Sequence, residues 1–245
     1  NVSKASKDAK LTYGPATHRP LYAIVNNGAT TFSHSGRGTS SLTRGSSTTP
    51  IHEIWHLLGF EHANRWSKLK KGQKPKRGDQ ITIINGEKYI FESSKDGSSA
   101  MSIFASKKLT APQYYYAGWF GEKQVALYNI GEPAISYNLQ DVTIKEEHEG
   151  ILNAVLINRG ETLAPLFLSM FAAKLPGDNG SQTMLALHTP TGKNKLGSTR
   201  WQVFRNELTF EGVNFKVENQ EGNVWQVNVS SDTVTGIPAN KKLKL

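Results

Sequence analysis

His52-Glu53-Ile54-Trp55-His56-Leu57-Leu58-Gly59-Phe60-Glu61-His62 is the stretch on which the reading of this chain turns. Local signals predict a helix over Pro50–Leu58. Thr49 suits the N-cap, Pro50 the first helical position and Gly59 the stop. Residues four apart share a helix face, so His52 and His56 present two imidazoles at a separation one zinc ion bridges. Glu53 lies one residue on, about 100° around the helix, beside the ion rather than on it. Gly59 permits a sharp turn at positive φ, and the chain then delivers His62 as a third nitrogen ligand. Three protein ligands leave a fourth tetrahedral position for water, as in catalytic rather than structural zinc sites. Zinc acidifies that water, and Glu53 is placed to take its proton and hand it on. On this chain's composition, three His, one Glu and one Gly at those places arise by chance roughly three times in a hundred thousand such chains. A metal-free, histidine-bearing helix is the competing reading.

Around this stretch the elements are short. Leu21–Val25, ending at Asn26-Asn27-Gly28, reads as a strand, and the Gly/Ser/Thr-rich Ala29–Thr49 as a surface loop. Arg65–Asp79 reads as a basic loop. Ile81–Ile84 and Lys88–Phe91, joined through Asn85-Gly86, predict a β-hairpin. Ala111–Phe120 is aromatic-rich and suits a short helix, with Tyr114, Tyr115 and Tyr116 read as packing residues. From about Gln124 onward, short runs rich in β-formers alternate with turn residues, from Val125–Tyr128 to Asn223–Val229. That spacing predicts an all-β sandwich. The expected division is 1–120 for the zinc-binding domain and 121–245 for the β module.

Composition narrows the function classes. The 245 residues contain no cysteine, which excludes disulfides, thiolate metal sites and a cysteine nucleophile. No apolar run is long enough for a membrane span. The opening Asn1–Lys10 is polar and does not read as a signal peptide, so a mature or trimmed form is expected. Lys and Arg number 29 against 20 acidic residues, a net charge of +9 that favours acidic proteins or anionic matrix polymers as partners. Arg65, Lys68, Lys70, Lys71, Lys74, Lys76 and Arg77 form the densest cluster, read either as a solvated loop or as a docking patch for acidic substrates. No recognition motif accompanies the charge, so nucleic acid is not an expected partner.

The string at 52–62 resembles the long zinc signature of the metzincin metallopeptidases. Those enzymes carry a methionine in a tight turn beneath the metal, and Ser98-Ser99-Ala100-Met101-Ser102 resembles that turn, with Met101 as its methionine. Leu109–Gln113 followed by Gly118-Trp119-Phe120 is similar to a segment of the gametolysin-like and immune inhibitor A-like secreted peptidases. The resemblance implies an α+β chain: a metzincin-type catalytic domain with zinc helix and Met-turn, its N-terminal sheet truncated, followed by the β-sandwich. Two departures accompany it. Only 51 residues precede the string, and Ile103 stands where some metzincins place a tyrosine.

The expected function is that of a secreted zinc endopeptidase acting on extracellular proteins. One catalytic Zn²⁺ is held by His52, His56 and His62, with Glu53 as general base and then acid. Substrate is expected to lie as an extended strand against Tyr22, Ala23 and Ile24, with Ile103 and Phe104 lining the pocket beyond the cut. A structural Ca²⁺ is a second cofactor candidate at Asp96-Gly97-Ser98, where the single carboxylate favours a plain turn. The alternative function is a β-sandwich adhesion or binding protein with an inert zinc site.

Overall fold

Leu166-Phe167-Leu168-Ser169-Met170-Phe171 is apolar at consecutive rather than alternate positions, the pattern of a strand buried on both faces. The computed structural model places it so, and it describes residues 22–26, 34–36, 39–43, 52, 55–56, 58–70, 72–84, 86–102, 108–173 and 182–232, the first three ranges as backbone only. The strands in chain order are β1 (Tyr22–Asn26), β2 (His34–Gly36), β3 (Thr39–Thr43), β4 (Ala63–Lys68), β5 (Ile81–Ile84), β6 (Glu87–Glu92), β7 (Val125–Asn129) and β8 (Ile135–Gln140). They continue with β9 (Ile151–Leu152), β10 (Ala154–Asn158), β11 (Leu166–Ala173), β12 (Gln182–Thr191), β13 (Gly197–Phe204), β14 (Glu207–Phe210), β15 (Val213–Glu221) and β16 (Val224–Ser231). The helix α1 spans Ala111–Tyr116.

Two large mixed sheets carry the fold. One has eight strands in the order β5-β6-β4-β13-β12-β11-β10-β7, the other five in the order β14-β15-β16-β8-β9. A separate three-stranded sheet runs β1-β3-β2. The two large sheets pack through one core. Leu168, Met170, Leu185 and Leu187 from the eight-stranded sheet meet Phe215, Trp225, Val227 and Val229 from the other. Strand β16 shows the period-2 alternation of a half-buried strand, with Trp225, Val227 and Val229 inward. The opposite face of the large sheet is covered near α1. There Phe167, Phe171, Met184 and Ala186 pack with Ala111 and with Tyr114, Tyr115 and Tyr116. Burial on both faces explains why β11 and β12 read as continuous apolar runs.

The expected α+β class with a metzincin-type catalytic domain is therefore corrected. The chain is mostly β. Among the described residues α1 is the only α-helix, a single 3-10 turn spans Glu122–Gln124, and helical backbone otherwise occurs at His52, Trp55 and His56, with no metzincin zinc helix delineated. The reason is visible one residue after the histidine string. Strand β4 enters the large sheet parallel to β13, with Ala63 opposite Ser198 and Arg65 opposite Arg200. On its other side it pairs antiparallel with β6. The eight-stranded sheet thus draws strands from both sides of residue 121.

The basic loop expected over Arg65–Asp79 also begins later than its composition suggests. Arg65 and Lys68 lie in β4. The Arg65 Nε donates to the Glu92 carboxylate at 2.7 Å, and the Trp66 ring stacks on Trp201 with centroids 5.5 Å apart. Cross-strand partners of this kind let a charged segment take strand geometry. Within the segment read as a Gly/Ser/Thr loop, β2 and β3 supply short strands.

Candidate metal centre

The chain reversal at Gly59 builds the site. Gly59 has φ +95°, a conformation that L side chains rarely adopt, and its N–H donates to the His56 carbonyl at 3.0 Å. The Phe60 N–H donates to the Trp55 carbonyl at 3.0 Å. The chain then docks on the large sheet. Glu61 N–H donates to Leu196 O at 3.3 Å, Ser198 N–H to His62 O at 3.4 Å and Ala63 N–H to Met101 O at 2.8 Å. His62 is thereby carried back towards His52 and His56.

The three imidazoles converge. The Nε2 of His56 lies 3.1 Å from the Nε2 of His52 and 3.1 Å from the Nε2 of His62. One ligand atom from each ring lies within 4.8 Å of the other two. Ring planes of His56 cross those of His52 and His62 at 81° and 82°. Zinc with Zn–N bonds of about 2.05 Å places tetrahedral nitrogens about 3.3 Å apart, so both 3.1 Å separations match an edge of that tetrahedron.

Hydrogen bonding on the far side of two rings fixes which nitrogen faces inward. His52 Nδ1 lies 2.8 Å from the Ala100 carbonyl, and His56 Nδ1 lies 2.8 Å from the Phe60 carbonyl. A carbonyl only accepts, so each Nδ1 carries the proton and donates. In the neutral ring Nε2 is then a bare lone pair. Lone pairs converging at this distance repel one another unless a cation sits among them. The donor set and its outer hydrogen bonds fit a divalent metal, in the pattern by which backbone carbonyls orient metal-binding histidines.

The segment Asp96–Ser102 supports the group from below. Successive turns close with Ser99 N–H on Asp96 O at 3.1 Å and Ser102 N–H on Ser99 O at 3.2 Å. Met101 is fully buried, packed with Phe60, Ala63, Ala100 and Leu109, and Trp55 and Leu196 border the same cluster. Burying a side chain of that size is worth about 1.5–3 kcal/mol. Through the Ala100 carbonyl this turn holds His52, and through the Met101 carbonyl it holds the residue after His62.

The turn is itself anchored by a buried polar network that sequence reading missed. Asp96 accepts from Ser98 Oγ at 2.7 Å and from His188 Nε2 at 2.9 Å, and pairs with Arg200 Nη1 at 2.9 Å. All four residues are buried. Burial acts to raise the Asp96 carboxyl, but the Arg200 charge, reinforced by His188 and Ser98, outweighs it and holds the group far below the usual carboxylate range. Both carboxylate oxygens of the expected calcium candidate are thus engaged by protein groups. Arg200 and His188 sit on β13 and β12, more than ninety positions along the chain, so no local motif could have paired them with Asp96.

The remaining expected site residues fall as follows. Glu53, Ile103 and Phe104 lie outside the described residues. Tyr22, Ala23 and Ile24 lie in β1, at one edge of the three-stranded sheet, paired parallel to Thr39, Ser40 and Ser41 of β3. A cleft of about 370 Å³ opens beside His56 and His62, with Glu61, Asn64, Ser93, Thr191 and Gly192 on its walls. Glu61, adjacent to the third histidine, was the overlooked residue there. No helix among the described residues is long and apolar enough to cross a membrane. No protein-family model, curated protein or solved structure matches this chain.

Proposed function

We propose that the chain is a zinc-dependent endopeptidase acting on extracellular proteins, with His52, His56 and His62 holding the ion and Glu53 serving as general base. The reading rests on the residues of the signature and their convergence, not on a metzincin fold. The single observation that carries it is the meeting of three imidazole nitrogens, two of them freed by Nδ1–carbonyl hydrogen bonds. A divalent ion held there supplies Lewis acidity towards a scissile carbonyl and acidifies water.

The protein groups do the rest. Glu53 accepts a proton from the attacking water and returns it to the leaving amine. The backbone of β1, at a sheet edge, accommodates an extended peptide as an added strand. The cleft beside His62 receives a substrate side chain.

The test is metal analysis coupled to peptide-library cleavage. Zinc-loaded wild type should cut peptides. Glu53→Ala should retain zinc and lose turnover by orders of magnitude, whereas any of the three His→Ala changes should lose zinc and turnover together. A second reading, a β-sandwich adhesion or binding protein with an inert zinc site, is favoured by the mostly-β architecture. Full zinc occupancy with no hydrolysis of any peptide would select it.

A further inference from the structure

The cleft beside the metal group is lined in a way that specifies its occupant. Asn64, Ser93, Thr191 and Gly192 contribute polar side chains or bare backbone, and among the described residues no aliphatic side chain, and no aromatic one besides the imidazoles of His56 and His62, borders it. A pocket for an apolar side chain is lined mainly by hydrophobic and aromatic groups. Apart from the imidazoles, the only ionisable wall among the described residues is Glu61.

Glu61 is exposed and, like several other surface carboxylates, forms no ion pair among the described residues; what sets it apart is its place beside the histidines. On a chain with nine more cationic than acidic residues, a carboxylate with no cationic partner among the described residues, set beside the converging histidines, is an anionic anchor. Its position is built into the fold. Glu61 N–H donates to Leu196 O at 3.3 Å, and Gln113 Nε2 donates to both Glu61 O and Leu196 O, at 3.3 and 3.2 Å. Gly192, at φ +81°, lies directly against the carboxylate, and a Cβ there would collide with it. A Cβ at Gly197 would lie 3.1 Å from the Glu61 Cβ. The group of converging metal donors does not include Glu61, so its oxygens remain available to substrate.

We propose that Glu61 is a specificity-determining residue, and that the cleft takes a positively charged substrate side chain, lysine or arginine, next to the scissile bond. The ammonium or guanidinium pairs with the Glu61 carboxylate while Asn64, Ser93 and Thr191 offer hydrogen bonds around it. This inference rests on the peptidase reading above.

The experiment compares zinc-loaded wild type, Glu61→Gln and Glu61→Lys on peptides varied at each position flanking the cut. An exposed ion pair predicts roughly two- to fivefold higher kcat/KM for lysine or arginine over neutral residues at one position. Glu61→Gln should abolish that preference and Glu61→Lys should turn it towards acidic residues, with zinc stoichiometry retained in both. In wild type alone the preference should fade as salt is raised, a measurement that needs no variant to fold. Cleavage without charge preference, or a preference that survives Glu61→Gln, overturns the Glu61 assignment and leaves the peptidase reading standing. No cleavage by zinc-loaded wild type overturns both.

Discussion

Replacing Arg200 by methionine tests how the proposed metal centre is tied to the sheet. Arg200 is buried, and its Nη1 lies 2.9 Å from an oxygen of the fully buried Asp96. Removing one partner of a buried ion pair strands the other charge, which costs about 3–5 kcal/mol. His188 at 2.9 Å and Ser98 at 2.7 Å still hold the carboxylate, so the lower end of that range, about 3 kcal/mol, is expected. The pH dependence gives the argument its sign. In wild type the Asp96 carboxyl is held below its unfolded value, so its stabilisation is complete above about pH 4 and fades as pH falls towards the folded value.

In Arg200→Met, burial is opposed only by His188 and Ser98, and the carboxyl titrates at higher pH than in wild type. The cost of the substitution is therefore largest near neutrality, where the carboxylate is ionised, and shrinks as pH falls far enough to protonate it in the variant but not in wild type. Urea unfolding of both proteins at a series of pH values from neutrality downwards measures it. A second readout follows from the geometry. The Asp96 turn carries Ala100, whose carbonyl orients His52, so zinc affinity should fall about tenfold, as when a supporting hydrogen bond is loosened. A loss under about 1 kcal/mol at pH 7, or a loss that grows as pH falls, would refute the reasoning.

Other perturbations probe separate links. Gly59→Ala forces an L residue into φ +95° and should destabilise by about 1–2 kcal/mol while weakening zinc binding, read by thermal melts and zinc titration. Met101→Ala empties a fully buried position beneath the site and should cost about 2–5 kcal/mol in denaturant unfolding. Chelation should lower the melting temperature and zinc restore it; free zinc at a hundred times its dissociation constant stabilises the folded state by about 2.7 kcal/mol. An unchanged melt after chelation of zinc-loaded protein would speak against a metal held by the folded state.

What the sequence revealed and what it hid follow from the range of the interactions. The histidine spacing is a local property, and with Gly59 at positive φ it brings the three rings together. The hairpin β5–β6 was legible because Gly86, at φ +78°, marks its turn and β-formers flank it. The strands after Gln124 were legible from alternation and from continuous apolar runs. Strand β4 was hidden. Its arginine and lysine look like loop residues until Glu92 and Glu87 are placed opposite them. The Asp96–Arg200–His188 network was hidden because its members are far apart in the chain. The assignment of an α+β class failed for a related reason. A short local motif indicated a family's chemistry, and the architecture that accompanies that chemistry elsewhere was carried along with it.

The proposed metal centre needs less scaffold than that assignment supposed. Orienting three imidazoles requires helical backbone at His52 and His56, a reversal at Gly59 and two carbonyls that accept from Nδ1. The third ligand requires only that the chain after it be fixed, and here the large sheet does so. Ala63 is bonded to Met101 on one side and registered with Ser198 on the other. The turn beneath the histidines is pinned to β12 and β13 by Asp96 rather than by a helical layer. The mostly-β architecture and the convergent histidines are therefore compatible, because the sheet supplies the rigidity that fixes His62 and the Asp96 turn transmits it to His52. It follows that substitutions on β12 and β13, remote in sequence from the histidine string, should alter metal affinity as surely as changes within it.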